Sequence, residues 1–222
     1  MIEYLALPEQ KSVCRLTNDC QWNDSIWFFG CSHVYGWGVS VEESTPFQLE
    51  KILNFPVLNF GIPRGSPMLI KYNLDILLTH YKPRAIIIAW PSLERWLSWK
   101  DNKPLQWTAM HFWENINRKE IDRAPEDFER YKSLVLNNEI KDINFNLIKD
   151  IKKELGDLLI DFSYLKDIRL QSISVTCFDK DKKSTNELNW IDICSDTWHP
   201  GPETHNKIAT WLSNEQKLSK HL

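Results

Sequence analysis

Ser32, Asp196 and His199 are the residues whose types and spacing could do chemistry together. Ser32 sits in Phe28-Phe29-Gly30-Cys31-Ser32-His33-Val34-Tyr35-Gly36-Trp37-Gly38, directly after the apolar run Ser25–Phe29. A buried strand that stops at a glycine hands the polar side chains behind it to the tip of a tight turn. Towards the other end, Asp196-Thr197-Trp198-His199-Pro200-Gly201 sets a carboxylate three residues before an imidazole. A serine early and Asp-x-x-His late is a nucleophile, an orienting group and a base in waiting. Ser32 would attack an acyl carbonyl, His199 would take its proton and return it to the leaving group, and Asp196 would fix the imidazole tautomer. Cys31, with His33 nearby, is the competing nucleophile. Adjacent residues at a strand end face opposite ways, which favours Ser32.

Each motif has a plainer reading. Gly-x-Ser after a strand is by itself commonest as a turn, and Asp-x-x-His is commonest as the start of a capped helix. A third segment, Asn59-Phe60-Gly61-Ile62-Pro63-Arg64-Gly65-Ser66, makes the catalytic reading the stronger one. It is loop chemistry directly after an apolar run, where glycine lets a backbone approach a substrate closely. The remaining histidines, His80, His111, His205 and His221, read as surface or supporting residues.

These residues need a frame that brings positions 32, 59–65 and 196–199 together. Ser25–Phe29 reads as a first strand and Pro56–Asn59 as a short apolar run. Arg84–Trp90 is apolar throughout and ends at Pro91. A run apolar on both faces fits a parallel strand covered by helices on each side. Between the strands, Pro46–Leu53 reads as a short helix with Thr45 as N-cap, and Met68–Tyr81 has apolar residues at helical spacing. Leu136, Ile140, Ile143, Leu147, Ile151 and Leu155 recur as one long amphipathic helix with a solvated charged face. Ser172–Phe178 and Trp190–Ile193 read as strands, and Thr204–Leu212 as a closing helix. Residues 1–24 read as an irregular arm. Strands alternating with helices predict an α/β fold, three layers around a mainly parallel sheet, whose sites lie at the carboxyl ends of strands.

Residues 91–130 read as an insertion carrying Trp96, Trp99, Trp107 and Trp113 among charges and prolines. Aromatic rings there could stack on a substrate or form a lid, but a local mini-core that fixes the insertion is the better reading. Trp90 and Trp198 are the exceptions, being nearest the proposed catalytic elements.

Composition bounds the function. The 222 residues fit one domain, and 42% apolar content supports a substantial core. A net charge of −3 gives no general attraction to nucleic acid or to an anionic membrane. No run of about 18 apolar residues marks a membrane span, and the N-terminus lacks the marks of a signal peptide. Five cysteines without paired spacing suit a reducing, cytoplasmic setting. No motif points to a metal or an organic cofactor, and none speaks to oligomeric state.

Taken in order, the motifs resemble the blocks of the SGNH (GDSL-type) hydrolases. Gly30-Cys31-Ser32-His33 stands where the family commonly has Gly-Asp-Ser, often followed by His. Asn59, Gly61 and Gly65 fill the second block, and Asp196, His199 and Pro200 the last. The resemblance implies a flavodoxin-like α/β/α fold and a Ser32–His199–Asp196 triad. It also implies a flanking oxyanion and substrate site drawn from Gly61, Arg64, Gly65, Trp90 and Arg95. Two departures touch catalysis: Cys31 replaces the family's Asp, and Ala89-Trp90-Pro91-Ser92-Leu93-Glu94-Arg95 lacks the third-block Asn. Ser92 and Arg95 are the polar side chains available in its place. The activity implied is a serine esterase or deacylase acting on a small-molecule ester or an acylated glycan. An O-acyltransferase with the same triad, or a non-catalytic module on the same fold, are the alternatives.

Overall fold

The computed structural model describes residues 22–100, 103–107, 125–163, 173–174, 192–196 and 199–222. Four apolar runs pair side by side into the centre of the molecule. Strand β1 (Ile26–Gly30) pairs in parallel with β2 (Val57–Gly61) on one side and β3 (Ala85–Trp90) on the other. β3 pairs in parallel with β6 (Leu159–Ser163), and β6 with the two-residue β7 (Ile173–Ser174). The order β2-β1-β3-β6-β7 reverses direction at β1 and β3. An open parallel sheet offers a crevice at such a switch point, outside the carboxyl ends of its strands. A separate antiparallel hairpin, β4 (Trp96–Lys100) and β5 (Lys103–Trp107), stands after β3.

Alternation along β1 divides the core into two layers, because successive strand side chains face opposite ways. Trp27 and Phe29 point to one face with Phe60, Ile86, Ile88 and Trp90. There they meet Ile70, Leu74 and Leu77 of α3 (Pro67–Leu78) and Ile148, Ile151 and Leu155 of α5 (Glu139–Leu155). Ile26 and Phe28 point to the other face with Val57, Ile87 and Phe162. That face is covered by Leu49 of α2 (Thr45–Leu53), by Ile208, Ala209 and Leu212 of α6 (Pro202–Ser213), and by Leu218 of the short α7 (Gln216–Ser219). The fold is therefore three-layered α/β/α around a parallel sheet, as the fully apolar strand Ala85–Trp90 predicts. Among the described residues no helix is long and apolar enough to cross a membrane.

Several local expectations shift. The periodicity across 136–155 belongs to two helices, α4 (Pro125–Leu136) and α5, because Asn138 adopts a left-handed φ of 58° that breaks the run. Strand β6 was not anticipated: its five residues follow α5 after a single 3-10 turn, and an aspartate interrupts the apolar pattern. Ser44, not Thr45, precedes α2. The Thr45 hydroxyl is instead 2.7 Å from His205 Nδ1, and His205 is fully buried rather than on the surface. The strands expected at 172–178 and 190–193 fall mostly outside the described residues. What is described there is β7 and a bridge between Ile193 and Pro200.

The turn that carries Ser32 is set by close approach. α1 (Ser32–Tyr35) is a single helical turn that crosses over the end of β2. A Cβ on Gly61 would lie 2.2 Å from the Tyr35 backbone nitrogen and 2.7 Å from its Cα. Buried Asn59 locks the same junction, donating from Nδ2 to Val34 O at 3.1 Å and accepting from Gly61 N at 2.9 Å. Gly61→Ala should therefore push the turn off the sheet. The expected cost is about 1–3 kcal/mol, the usual range for overpacking. In a chain of this size that lowers the melting temperature by roughly 2–4 °C per kcal/mol, read by thermal denaturation.

Candidate active site

Ser32 follows the carboxyl end of β1, at the switch point of the sheet. It opens α1 with Cys31 as N-cap and no capping side chain on the turn. The turn closes through Gly36 N and Trp37 N, which both donate to Ser32 O, and through a left-handed Gly36. Ser32 is half-buried, whereas Cys31 is 1% exposed, so only the serine is presented outward.

The C-terminal segment docks against this turn. Gly38 has a φ of 87°, and a Cβ there would lie 2.9 Å from Cys194 Cβ and Sγ. Only glycine gives both that conformation and that space. Ile193 and Pro200 form an antiparallel bridge, and Cys194 N donates to His199 O at 2.9 Å, which brings His199 back beside Cys194. Asp196 Oδ1 accepts from His199 N at 3.2 Å, while Asp196 Oδ2 lies 2.6 Å from His199 Nδ1. The carboxylate thus fixes both the backbone turn and the imidazole. Asp196 is not the cap of the following helix. Gly201 is its N-cap residue, and its first-turn amides are met from outside the helix by Asp192, whose carboxylate accepts from Glu203 N at 3.0 Å, from Thr204 N at 2.7 Å and from the Thr204 hydroxyl at 2.7 Å.

The structure therefore places His199 against the turn that opens with Ser32. The His199 ring lies 5.3 Å from the His33 ring and 6.4 Å from the Trp37 ring, centroid to centroid. Nδ1 faces Asp196, which leaves Nε2 as the nitrogen turned from the carboxylate. Among the described residues no hydrogen bond joins Ser32 Oγ to His199. Such catalytic contacts are commonly loose without a substrate and tighten in its presence.

Three groups here are electrostatically displaced. Burial pushes the His199 imidazole down, the Asp196 hydrogen bond pulls it back up and His33 pushes it down again, for a net lowering. Burial alone would raise the Cys31 thiol, but Arg95 and His33, whose Nδ1 is 3.3 Å from Sγ, outweigh it and hold the thiol well below its usual range. Cys194 is pushed up to about 11 by burial and by Asp196, and its Sγ rests 2.9 Å from Pro200 O.

The second-block loop lies beside the same turn. A Cβ on Gly65 would meet Gly30 O at 3.1 Å and Cys31 Cα at 3.7 Å. Gly61 N donates to Asn59 Oδ1 and Gly65 N to Ile62 O, so both glycine amides are already engaged. Arg64 takes the left-handed conformation between them, with φ 66°. Arg95, five residues after the end of β3, reaches this loop, donating from Nη1 to Gly65 O at 2.8 Å.

Trp90 requires a correction. It is fully buried in the sheet core and its Nε1 donates to Asp161 at 2.8 Å, so it presents no ring to a ligand. Trp96 fits the mini-core reading, packed with Phe128, Tyr131 and Ile140 under the Arg130 guanidinium. The side chains of Trp99, Trp107 and Trp113, and Trp198 and His111, lie outside the described residues. The aromatic that sequence reasoning passed over is Trp37. It is 48% exposed beside His199. Its position between Gly36 and Gly38, in the turn segment after Ser32, was the available signal. Among the described residues no cluster of three or more His, Cys, Asp or Glu is arranged to hold a metal ion.

Neither known family models nor curated proteins match this chain. Among solved structures it is similar to a "putative lipolytic protein of G-D-S-L family" from Desulfitobacterium hafniense DCB-2. The two share 14% identity with a TM-score of 0.41, over 86% of this chain and 98% of that one.

Two measurements check this geometry. In an NMR titration the His199 imidazole should have a midpoint below the ordinary value of about 6.5, and Asp196→Asn, which removes the raising partner, should move it lower still. Asp192→Ala should cost about 1–2 kcal/mol at neutral pH, as loss of a helix cap does. Although burial pushes the Asp192 carboxyl up, its hydrogen bonds to Thr204 and Glu203 leave it below its usual value. Its contribution is therefore complete above the unfolded value of about 3.9 and is lost as pH falls through the folded one. The deficit of the variant in denaturant melts should shrink in acid.

Proposed function

We propose that this chain is a serine ester hydrolase of the SGNH (GDSL-type) class, a divergent member with Cys31 in place of the family's Asp. The observation that carries the reading is the Asp196–His199 hydrogen bond, 2.6 Å on Nδ1, made in a loop docked on the turn that opens with Ser32. A base oriented by a carboxylate beside an outward serine at a switch point is the constellation of acyl transfer.

The steps follow from the groups present. Ser32 Oγ bonds to the ester carbonyl carbon while its proton passes to His199 Nε2. The carbonyl π pair moves onto oxygen and gives a tetrahedral oxyanion. The Ser32 amide, first in its helical turn, donates to that oxygen. Collapse re-forms the carbonyl and expels the alkoxide, which takes the proton from His199. Water repeats the sequence on the acyl-Ser32, with His199 again the base, and releases the acid. The lowered His199 favours this cycle, since the base is neutral before each attack. Cys31 is the weaker candidate nucleophile because it is buried and its thiol is engaged with His33. The exposed Trp37 ring beside His199 suits a flat apolar face, such as that of an acetylated sugar or a short acyl group.

A fluorophosphonate probe should label Ser32, and Ser32→Ala should abolish labelling and turnover of an aryl acetate. Asp196→Asn should lower kcat by about four orders of magnitude, the loss expected when the wrong tautomer is held. Wild-type protein in which the probe leaves Ser32 unlabelled, or in which it labels Cys31, would reject the assignment.

A further inference from the structure

An acyl-transfer site at Ser32 needs more than one donor for the developing oxyanion, and the glycine loop does not offer its glycine amides. Gly61 N and Gly65 N are both engaged within the loop. Arg95, in the segment after β3, reaches the same loop. Its Nη1 donates to Gly65 O, and Gly65 packs directly on Gly30 and Cys31, next to Ser32. One of its five N–H groups is thereby fixed.

The segment that bears Arg95 is fixed as well. Fully buried Asn144, on α5, donates from Nδ2 to Leu93 O at 2.7 Å and to Arg95 O at 2.8 Å. Tyr131, also buried, donates its hydroxyl to Glu94 O at 3.0 Å. The carboxylate of Glu94 is turned to Lys141, 2.7 Å away, so the neighbouring negative charge does not neutralise Arg95. Among the described residues Arg95 makes no ion pair with a carboxylate. Its charge is felt instead at Cys31, where it opposes the effect of burial on the thiol. Three contacts thus hold the backbone that bears the cation, and one, to Gly65 O, holds the guanidinium itself beside the residue that precedes Ser32.

We infer that Arg95 is a catalytic residue of this site: its guanidinium donates a charge-assisted hydrogen bond to the oxyanion formed on attack by Ser32. The inference rests on the ester-hydrolase reading and gives the oxyanion hole a second donor besides the Ser32 amide. Pre-fixing by Gly65 O and by Asn144 means that little reorganisation is needed as charge develops. The donated bond forms and strengthens with the oxyanion and relaxes when the leaving group departs. Arg95 itself gains and loses no proton.

The test uses the full chain, an aryl acetate and the fluorophosphonate probe. Arg95→Ala should lower kcat by about 100- to 1000-fold, the usual loss of one oxyanion donor, with KM little changed. Guanidinium chloride at low, non-denaturing concentration should restore part of kcat, while sodium chloride at equal ionic strength should not. Arg95→Lys, which keeps the charge but not the planar fork, should fall between the two. Should the alanine variant be poorly folded, the lysine variant with its melting temperature carries the same comparison. A rise in KM alone would overturn the inference and make Arg95 an anchor for an anionic substrate in its ground state. Unchanged kcat would also overturn it. So would a loss of kcat that guanidinium does not rescue in a variant still labelled at Ser32. Wild-type protein that is neither labelled nor active removes the ester-hydrolase reading itself, and this inference with it.

Discussion

The crossing of the Ser32 turn over the end of β2 is the constraint on which the site depends. Two backbones approach there more closely than any side chain allows. Tyr35 N occupies the space that a Cβ on Gly61 would fill, and Asn59 ties Val34 O to Gly61 N. The buried amide of Asn59 has partners on both its ends, which is what makes a polar group tolerable in that position. From this junction the turn extends to Gly36 and Gly38, where the Asp196–His199 loop finds its seat. Packing that begins as a steric requirement between a helical turn and a strand thus fixes which way a serine faces.

Much of the frame was legible because parallel strands leave a strong signature. Ala85–Trp90 is apolar on both faces, and the structure buries every one of its residues. Ile26–Gly30 and Val57–Gly61 behave likewise. β6 was illegible for a physical reason. Asp161 interrupts its apolar run, yet that carboxylate is held 2.7 Å from Lys152 and accepts from Trp90 Nε1, so the strand tolerates it. The break at Asn138 was hidden because residues on both sides of it kept helical spacing. The β4–β5 hairpin has no alternation of its own that stands out from a tryptophan-rich stretch.

The site was legible in part. Asp-x-x-His spacing implied a side chain reaching back to an imidazole, and one Asp196 carboxylate meets both the backbone and the ring of His199. Which aspartate capped the helix could not be read, since Asp192 and Asp196 both precede it at workable distances. Trp90 was misassigned because nearness in sequence to a strand end says nothing about which face its ring takes. The last inward position of β3 belongs to the core. Arg95 was one of two polar candidates near that strand end. The backbone that bears it is held by Asn144, 49 residues away, and no local pattern records that contact.

The pairing of Thr45 with His205 has a consequence for how the site comes into being. These residues are 160 positions apart, fully buried, and join the helix after the Ser32 turn to the helix after His199. Bringing them together requires closing a loop that spans most of the chain, an entropic cost borne before any contact repays it. The β1 strand can form with β2 and β3 early, since those pairings are local. The imidazole reaches the Ser32 turn only when the C-terminal helix has docked. The junction of the two ends is thus the last feature to be assembled: a partly folded chain can hold an ordered sheet and the Ser32 turn before His199 is seated against it.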